Sequence, residues 1–172
     1  MSVTLVERYN PEWPQWFLEL KSRFETTLTG QVLRIEHVGS TSVPGMTAKP
    51  IIAIDIVYED GQFDQIRARL EELGYFHQGN IGITDRDAFD ISDLDIKAKL
   101  KAHHPYACPE SSEELRRHLD FRDFLRRSPE HVEQLSNLKW KLAMEFDNDR
   151  QAYMDGKVEL CKEILQKARM IT

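Results

Sequence analysis

The sequence lacks the marks of several classes of protein. It has two cysteines, Cys108 and Cys161, which lie far apart and do not have the spacing of a zinc site. A disulfide framework is therefore not expected, and reduced thiols are the simpler interpretation. No stretch approaches the roughly 18 consecutive apolar residues of a membrane span, and the first eight residues lack a basic segment followed by an apolar core. We expect a soluble, cytoplasmic protein that does not bind membranes.

The chain also lacks an excess of positive charge. It carries 23 Lys and Arg residues against 29 Asp and Glu residues, a net charge of -6. This balance argues against non-specific binding to nucleic acid or to an anionic membrane, although it is compatible with a local basic face. With 172 residues and 41% hydrophobic content, the chain is long enough to bury a core as one globular domain.

What the sequence does have is a strand, a loop of small residues and a second strand. An apolar run ends at Val38, and Gly39 and Gly45 follow it. Glycine reaches positive φ easily and lets the backbone come close to a ligand. Between the two glycines lie three hydroxyl residues that are suited to phosphate oxygens: Ser40, Thr41 and Ser42. The loop is therefore predicted to bind an anion.

A single carboxylate, Asp55, interrupts the second apolar run, residues 51–57. A run this rich in Ile and Val predicts a central strand buried on both faces, where a carboxylate needs a metal ion, a cation or a hydrogen-bond donor. A phosphate loop that faces an acid on a strand predicts Mg²⁺ between the carboxylate and a polyphosphate.

Residues 35–45 (IEHVGSTSVPG) and 49–52 (KPII) resemble the GrpB family, whose fold belongs to the nucleotidyltransferase superfamily. The superfamily pattern is a Gly-Ser at a strand end, about a dozen residues, and then two acids one residue apart on the next strand. Gly39 and Ser40 followed by positions 53 and 55 fit that spacing. The first acid position, however, is Ala53, so only Asp55 remains of the pair.

The resemblance covers nearly the whole chain and implies an α/β (α+β) fold. It implies a nucleotidyltransferase-like mixed sheet with flanking helices and a C-terminal helical portion. We predict a single domain over 1–172, with the α/β core in 1–110 and the helices in 111–172. Hydrophobic periodicity adds one helix ending near Gly30, a second ending at Gly74 and three more after residue 110.

Two further polar stretches are candidates for the site. The alternation of polar and apolar residues over 95–100 predicts a strand. The superfamily uses a third carboxylate on a later strand, and Asp95 has that form. The alternative is a solvated loop aspartate. His104 follows His103 at a predicted strand end, where it is suited to contact phosphate, transfer protons or bind a metal ion. The alternative is a histidine held by structural hydrogen bonds.

Basic residues of the C-terminal helices have two interpretations. Arg122, Lys139 and Lys157 are predicted to face the cleft and neutralise a polyphosphate, together with Lys49 of the second matching segment. The alternative, for the arginine-rich helix above all, is ion pairing with nearby acids on a solvated face.

Two hypotheses of function follow. In the first, the protein is an Mg²⁺-dependent nucleotidyltransferase-like enzyme, in which Gly39 and Ser40 position nucleotide phosphates and Asp55 is catalytic and, with Asp95, binds metal. In the second, it binds a nucleoside triphosphate or another phosphorylated small molecule without turnover, or acts as an accessory module, as GrpB-like domains fused to dephospho-CoA kinase do. Ala53 favours the second, because it removes one metal ligand.

Overall fold

The structure is a computed structural model, and it describes residues 5–171. Five strands and six α-helices form the regular structure of these residues. In chain order they are α1 (Trp13–Leu28), β1 (Arg34–Val38), β2 (Ile52–Tyr58), α2 (Phe63–Glu72), β3 (Tyr75–Gly79), β4 (Asp87–Ile91), α3 (Leu94–Lys99), β5 (His103–Pro109), α4 (Glu113–Arg126), α5 (Pro129–Glu145) and α6 (Arg150–Met170). A short 3-10 helix, Ser40–Ser42, follows β1. None of the described helices is long and apolar enough to cross a membrane.

The strands form one mixed sheet in the order β1-β2-β5-β4-β3. Strand β2 pairs antiparallel with β1 and parallel with β5, whereas β4 pairs antiparallel with both β5 and β3. The α/β fold with a mixed sheet is thereby confirmed. The division into a core of 1–110 and a helical portion of 111–172 stays a prediction.

Residues 95–99 lie in helix α3, so the strand predicted over 95–100 is wrong. Asp93 caps α3: its side chain accepts hydrogen bonds from the backbone N–H of Asp95 at 2.9 Å and of Ile96 at 3.2 Å. An aspartate in this position satisfies the first free N–H groups of a helix, which outweighs the alternation of apolar and polar residues. Asp95 is exposed on this helix.

Strand β2 is buried on both of its faces, as its composition predicts. Ile52, Ile54 and Ile56 enter the main core with α1 and α2. The side chains at positions 53, 55 and 57 point to the opposite face, where Val57 packs against Leu115 of α4. Asp55 lies on that second face, under α4, and has no exposed surface.

The C-terminal helices hold the small-residue loop in place. Val43 and Met46 of the loop share one apolar cluster with residues of α4, α5 and α6. Helices α5 and α6 approach closely at Gly156, where an added Cβ would lie 2.5 Å from a methyl carbon of Leu142. This packing brings the middle of α5 and the first turns of α6 next to the 3-10 helix.

Candidate functional site

A cavity of about 200 Å³ lies between the 3-10 helix, the ends of β2 and β5, and helices α5 and α6. Its lining includes two hydroxyl residues, one histidine and four cations, which we call the cationic pocket: Ser40, Thr41, His104, Lys49, Lys139, Arg150 and Lys157. Ala53 and Tyr153 also line it, and within residues 5–171 the lining contains no aspartate or glutamate. A larger open groove of about 600 Å³ borders Trp140 and includes none of the predicted site residues.

The turn at Gly39 places the hydroxyl residues at the pocket. Gly39 has φ +73°, and a Cβ built on it would lie 3.2 Å from the Cβ of Ala53, so both its conformation and its neighbour favour glycine. His37 fixes the next residues, because its Nε2 lies 2.9 Å from Thr41 Oγ1. Burial, with Arg126 and Arg122 nearby, lowers the pKa of His37 to about 4. The ring is therefore neutral at pH 7 and serves as a hydrogen-bonding support.

Lys139 is a buried cation whose hydrogen-bond partners are neutral. Its Nζ donates to Ser40 Oγ at 2.5 Å and to the Thr47 carbonyl oxygen at 3.0 Å, and the residue is 4% exposed. Burial, reinforced by the charge of Lys157, lowers the pKa of Lys139 to about 7. A buried ammonium group without a carboxylate is unfavourable, and an anion in the pocket would relieve that cost.

Two other nitrogen groups of the pocket also have lowered pKa values, chiefly because they are buried. Burial lowers the pKa of Lys157; Cys161 opposes this, whereas Arg150 adds to it. Burial also lowers the pKa of His104; Asp90 opposes this, whereas Lys49 and Arg150 add to it. Like charges held together in a partly enclosed cavity focus a positive potential on the space between them, which is the electrostatic requirement for an anion site.

Asp55 belongs to a different cluster, which we call the acid–histidine network: Asp55, His118, Glu114 and Arg117. His118 Nδ1 donates to Asp55 Oδ2 at 2.6 Å, and His118 Nε2 lies 3.1 Å from Glu114 Oε1. Arg117 Nε donates to the same glutamate at 2.9 Å. Burial opposes the charged form of His118, but the hydrogen bonds to the two carboxylates outweigh it and raise the pKa of His118 to about 9.

The donors available at Asp55 do not fit Mg²⁺. In the register of the sheet, Asp55 faces Tyr106 of β5, which is not an acid. On the other side it faces Glu36 of β1, whose carboxylate accepts a hydrogen bond from Arg122 at 2.6 Å. Asp55 Oδ1 has no hydrogen-bond partner among the described residues, and it offers one of the six oxygen ligands that Mg²⁺ requires. No group of three or more His, Cys, Asp or Glu in residues 5–171 is placed to hold a metal ion.

Most of the predicted phosphate-binding residues come together in the pocket. Those that line it are Ser40, Thr41, Lys49, His104, Lys139 and Lys157. Gly39 lies next to Ala53. Ser42 is buried, and its hydroxyl donates to the Gly39 carbonyl oxygen at 2.5 Å. These two residues shape the loop but do not line the pocket.

Besides Asp55, two predicted site residues lie outside the pocket. Arg122 does not line the pocket: its Nη1 donates to Glu36 at 2.6 Å and to the His37 carbonyl oxygen at 3.1 Å. Its Nε also donates to Asp123 of its own helix at 2.8 Å, so Arg122 forms the intrahelical ion pair of the alternative interpretation and a second pair with Glu36 of β1. Asp95, predicted to bind metal with Asp55, is on α3 and outside the pocket lining.

Sequence reasoning missed Arg150, Tyr153 and His118. Arg150 and Tyr153 lie in the first turn of α6, at the start of the helix that also carries Lys157. His118 follows Glu114 by four residues on α4, a spacing that puts both side chains on one helical face. That spacing was the available signal that a charged pair points at the buried strand.

Known proteins resemble this chain along most of its length. Residues 3–167 match the family model described as GrpB protein. The chain is 37% identical over 164 residues to UPF0157 protein PA4798 of Pseudomonas aeruginosa, which covers 95% of this chain and 66% of that protein. It is 32% identical over 165 residues to UPF0157 protein YqkA of Bacillus subtilis, covering 94% and 46%. The chain thus spans only about half to two thirds of the length of these relatives.

The structure of the conserved protein GrpB from Enterococcus faecalis has the same fold. It superimposes with a TM-score of 0.82 at 30% identity and covers 95% of this chain and 96% of that chain. A shorter stretch, 38% of this chain, is 36% identical over 70 residues to part of a dephospho-CoA kinase of Mycolicibacterium paratuberculosis, and it covers 17% of that protein.

Proposed function

The chain belongs to the GrpB family, and from that premise we propose that its cationic pocket binds a phosphorylated small molecule, such as a nucleoside triphosphate, through the phosphate groups. One observation carries the proposal. Four cations and a histidine line one cavity whose described lining contains no acid. Nothing in the described lining neutralises these charges, so the pocket is complementary to a multiply charged anion.

The geometry of the pocket is suited to binding phosphate oxygens. Ser40 and Thr41 bring hydroxyl groups, and Lys139 is already fixed against Ser40 by a 2.5 Å hydrogen bond. Each charge-assisted hydrogen bond contributes about 1.5–3 kcal/mol, and groups that are ordered before binding lose little entropy when the ligand arrives. The cavity of about 200 Å³ has room for phosphate groups, and the rest of the ligand would extend beyond it.

The arrangement favours binding without turnover over nucleotidyl transfer. Transfer by two metal ions needs carboxylates that hold both ions at the reacting phosphate. Position 53 is an alanine, and Asp55 is engaged by His118. An accessory role is consistent with the partial match to a dephospho-CoA kinase, a protein in which the matching stretch is a small part of a longer chain. Transferase activity stays a prediction of the family resemblance.

Isothermal titration with ATP and with inorganic pyrophosphate, each with and without Mg²⁺, tests this proposal. We expect saturable binding in at least one condition and a loss of about tenfold or more in affinity for Lys157→Met, since one charge-assisted contact is removed. Lys162→Met is the matched control, because this lysine of the same helix is 66% exposed and pairs with Glu159. Absence of binding in every condition, or equal loss in both variants, would contradict the proposal.

A further inference from the structure

We propose that the cationic pocket takes its phosphorylated ligand in the metal-free form, and that Ala53 and His118 are the residues that keep a divalent cation out. This inference rests on the proposed function, because it names the ionic species that the same pocket selects. It differs from the expectation drawn from the family resemblance, in which Mg²⁺ lies between Asp55 and a polyphosphate.

Ala53 contributes a methyl group where the resemblance predicts a carboxylate. The residue lies on β2 between Val38 of β1 and His104 of β5, and it lines the pocket directly. A carboxylate at this position would reach the pocket that Lys139 and Lys157 enter. With alanine there, the described lining offers a ligand cations and hydroxyl groups but no acid that could share a metal ion with it.

His118 fills the space beside the remaining acid. Its ring nitrogens lie 2.6 Å from Asp55 Oδ2 and 3.1 Å from Glu114 Oε1, so the ring bridges the two carboxylates. A divalent cation between these carboxylates would have to displace the ring. Asp55 is also fully buried and does not line the pocket, so the ion would need both a vacated site and a path to it.

A metal-bound polyphosphate fits this pocket less well than the free anion. Mg²⁺ lowers the negative charge of the phosphates and keeps several water molecules, which enlarges the complex. The ion would also bring two further positive charges close to the four cations of the pocket. Like charges a few ångströms apart repel strongly where water is partly excluded.

Titration of the unmodified protein with inorganic pyrophosphate tests the selection of the metal-free ligand separately from phosphate binding itself. Without divalent ions we expect saturable binding, and in millimolar Mg²⁺ the apparent affinity should fall about tenfold or more, following the concentration of metal-free pyrophosphate. Binding that Mg²⁺ strengthens or leaves unchanged would overturn this inference while the proposed function stands. Absence of binding in both conditions would overturn the proposed function, and this inference with it.

Substitution at position 53 tests the residue itself. Ala53→Asp should weaken metal-free pyrophosphate binding about tenfold or more, because the new carboxylate neutralises the pocket and repels the anion, and Mg²⁺ should then improve binding. Ala53→Asn has nearly the same shape without the charge and should stay within about threefold of the unmodified protein. Equal metal-free affinities for the two variants would overturn the role given to Ala53.

Discussion

Two charged clusters lie on the same face of the sheet and differ in whether residues of the same cluster neutralise their charges. In the acid–histidine network each charged group has a partner of opposite sign, from Asp55 through His118 and Glu114 to Arg117. In the cationic pocket Lys139 is hydrogen bonded to neutral oxygens, and within residues 5–171 the lining contains no acid. Ala53 and Asp55, two residues apart on β2, belong to one cluster each.

The difference separates a structural use of charge from a binding use. Buried ions whose partners are within the protein are complete without a ligand, and removing one partner is strongly destabilising. Cations held together without a counter-ion destabilise the free protein and recover that loss when an anion binds. We therefore expect anions that bind to the pocket to raise the free energy of unfolding, and substitutions in the network to lower it.

The largest effect should come from breaking the network. In His118→Ala, Asp55 remains buried without its partner, and the free energy of unfolding should fall by about 3–5 kcal/mol. Urea denaturation measures this change. Adding Asp55→Asn to the same variant removes the buried charge and should restore part of the loss. A loss below about 1 kcal/mol, or no recovery in the double variant, would show that the network does not depend on this ion pair.

The two clusters should also give opposite dependences of stability on pH. The pKa of His118 is raised from 6.5 to about 9, so its contribution is complete below 6.5 and is lost as the pH rises through 9. The pKa of Lys139 is lowered from 10.5 to about 7, so its unfavourable burial is complete below 7 and is relieved as the pH rises toward 10.5. Between pH 7 and 9 the two effects oppose each other.

Unfolding free energies measured over that range should separate these contributions. Relative to Lys139→Met, the unmodified protein should gain up to about 1.4 kcal/mol per pH unit as the pH rises, and relative to His118→Ala it should lose a similar amount. If neither difference in unfolding free energy changed with pH, neither group would titrate as its surroundings indicate.

The smallest expected signal is proton uptake when an anion binds. At about pH 8 Lys139 is mostly neutral, and a bound polyphosphate should raise its pKa and draw in up to about one proton per ligand. Titration with ATP in two buffers of different ionisation enthalpy measures that uptake, and Lys139→Met should reduce it. Equal uptake by this variant would place the proton on another group, such as His104.

Much of the pocket was predictable because its main residues follow patterns that can be recognised within short stretches of sequence. Gly39 and Ser40 follow a strand end, and Lys139 interrupts the apolar positions of α5, where a cation points toward the protein interior. The strand expected over 95–100 is wrong because the cap at Asp93 starts a helix there and overrides the alternation of apolar and polar residues. The sequence of α4 gave no means of telling that Arg122 meets Glu36 of β1 as well as Asp123 of its own helix.

The sequence by itself determined the two central strands, the glycine turn between them, the burial of Asp55 and the main helices, because these depend on residues close together in the chain. Only the tertiary structure decided that Asp55 meets His118, 63 residues away, and that Ser40 meets Lys139, 99 residues away. The physical reason is that helix packing sets these contacts. The close approach of α5 and α6 at Gly156 and the position of α4 over β2 decide which cation faces the cavity and which faces the acid.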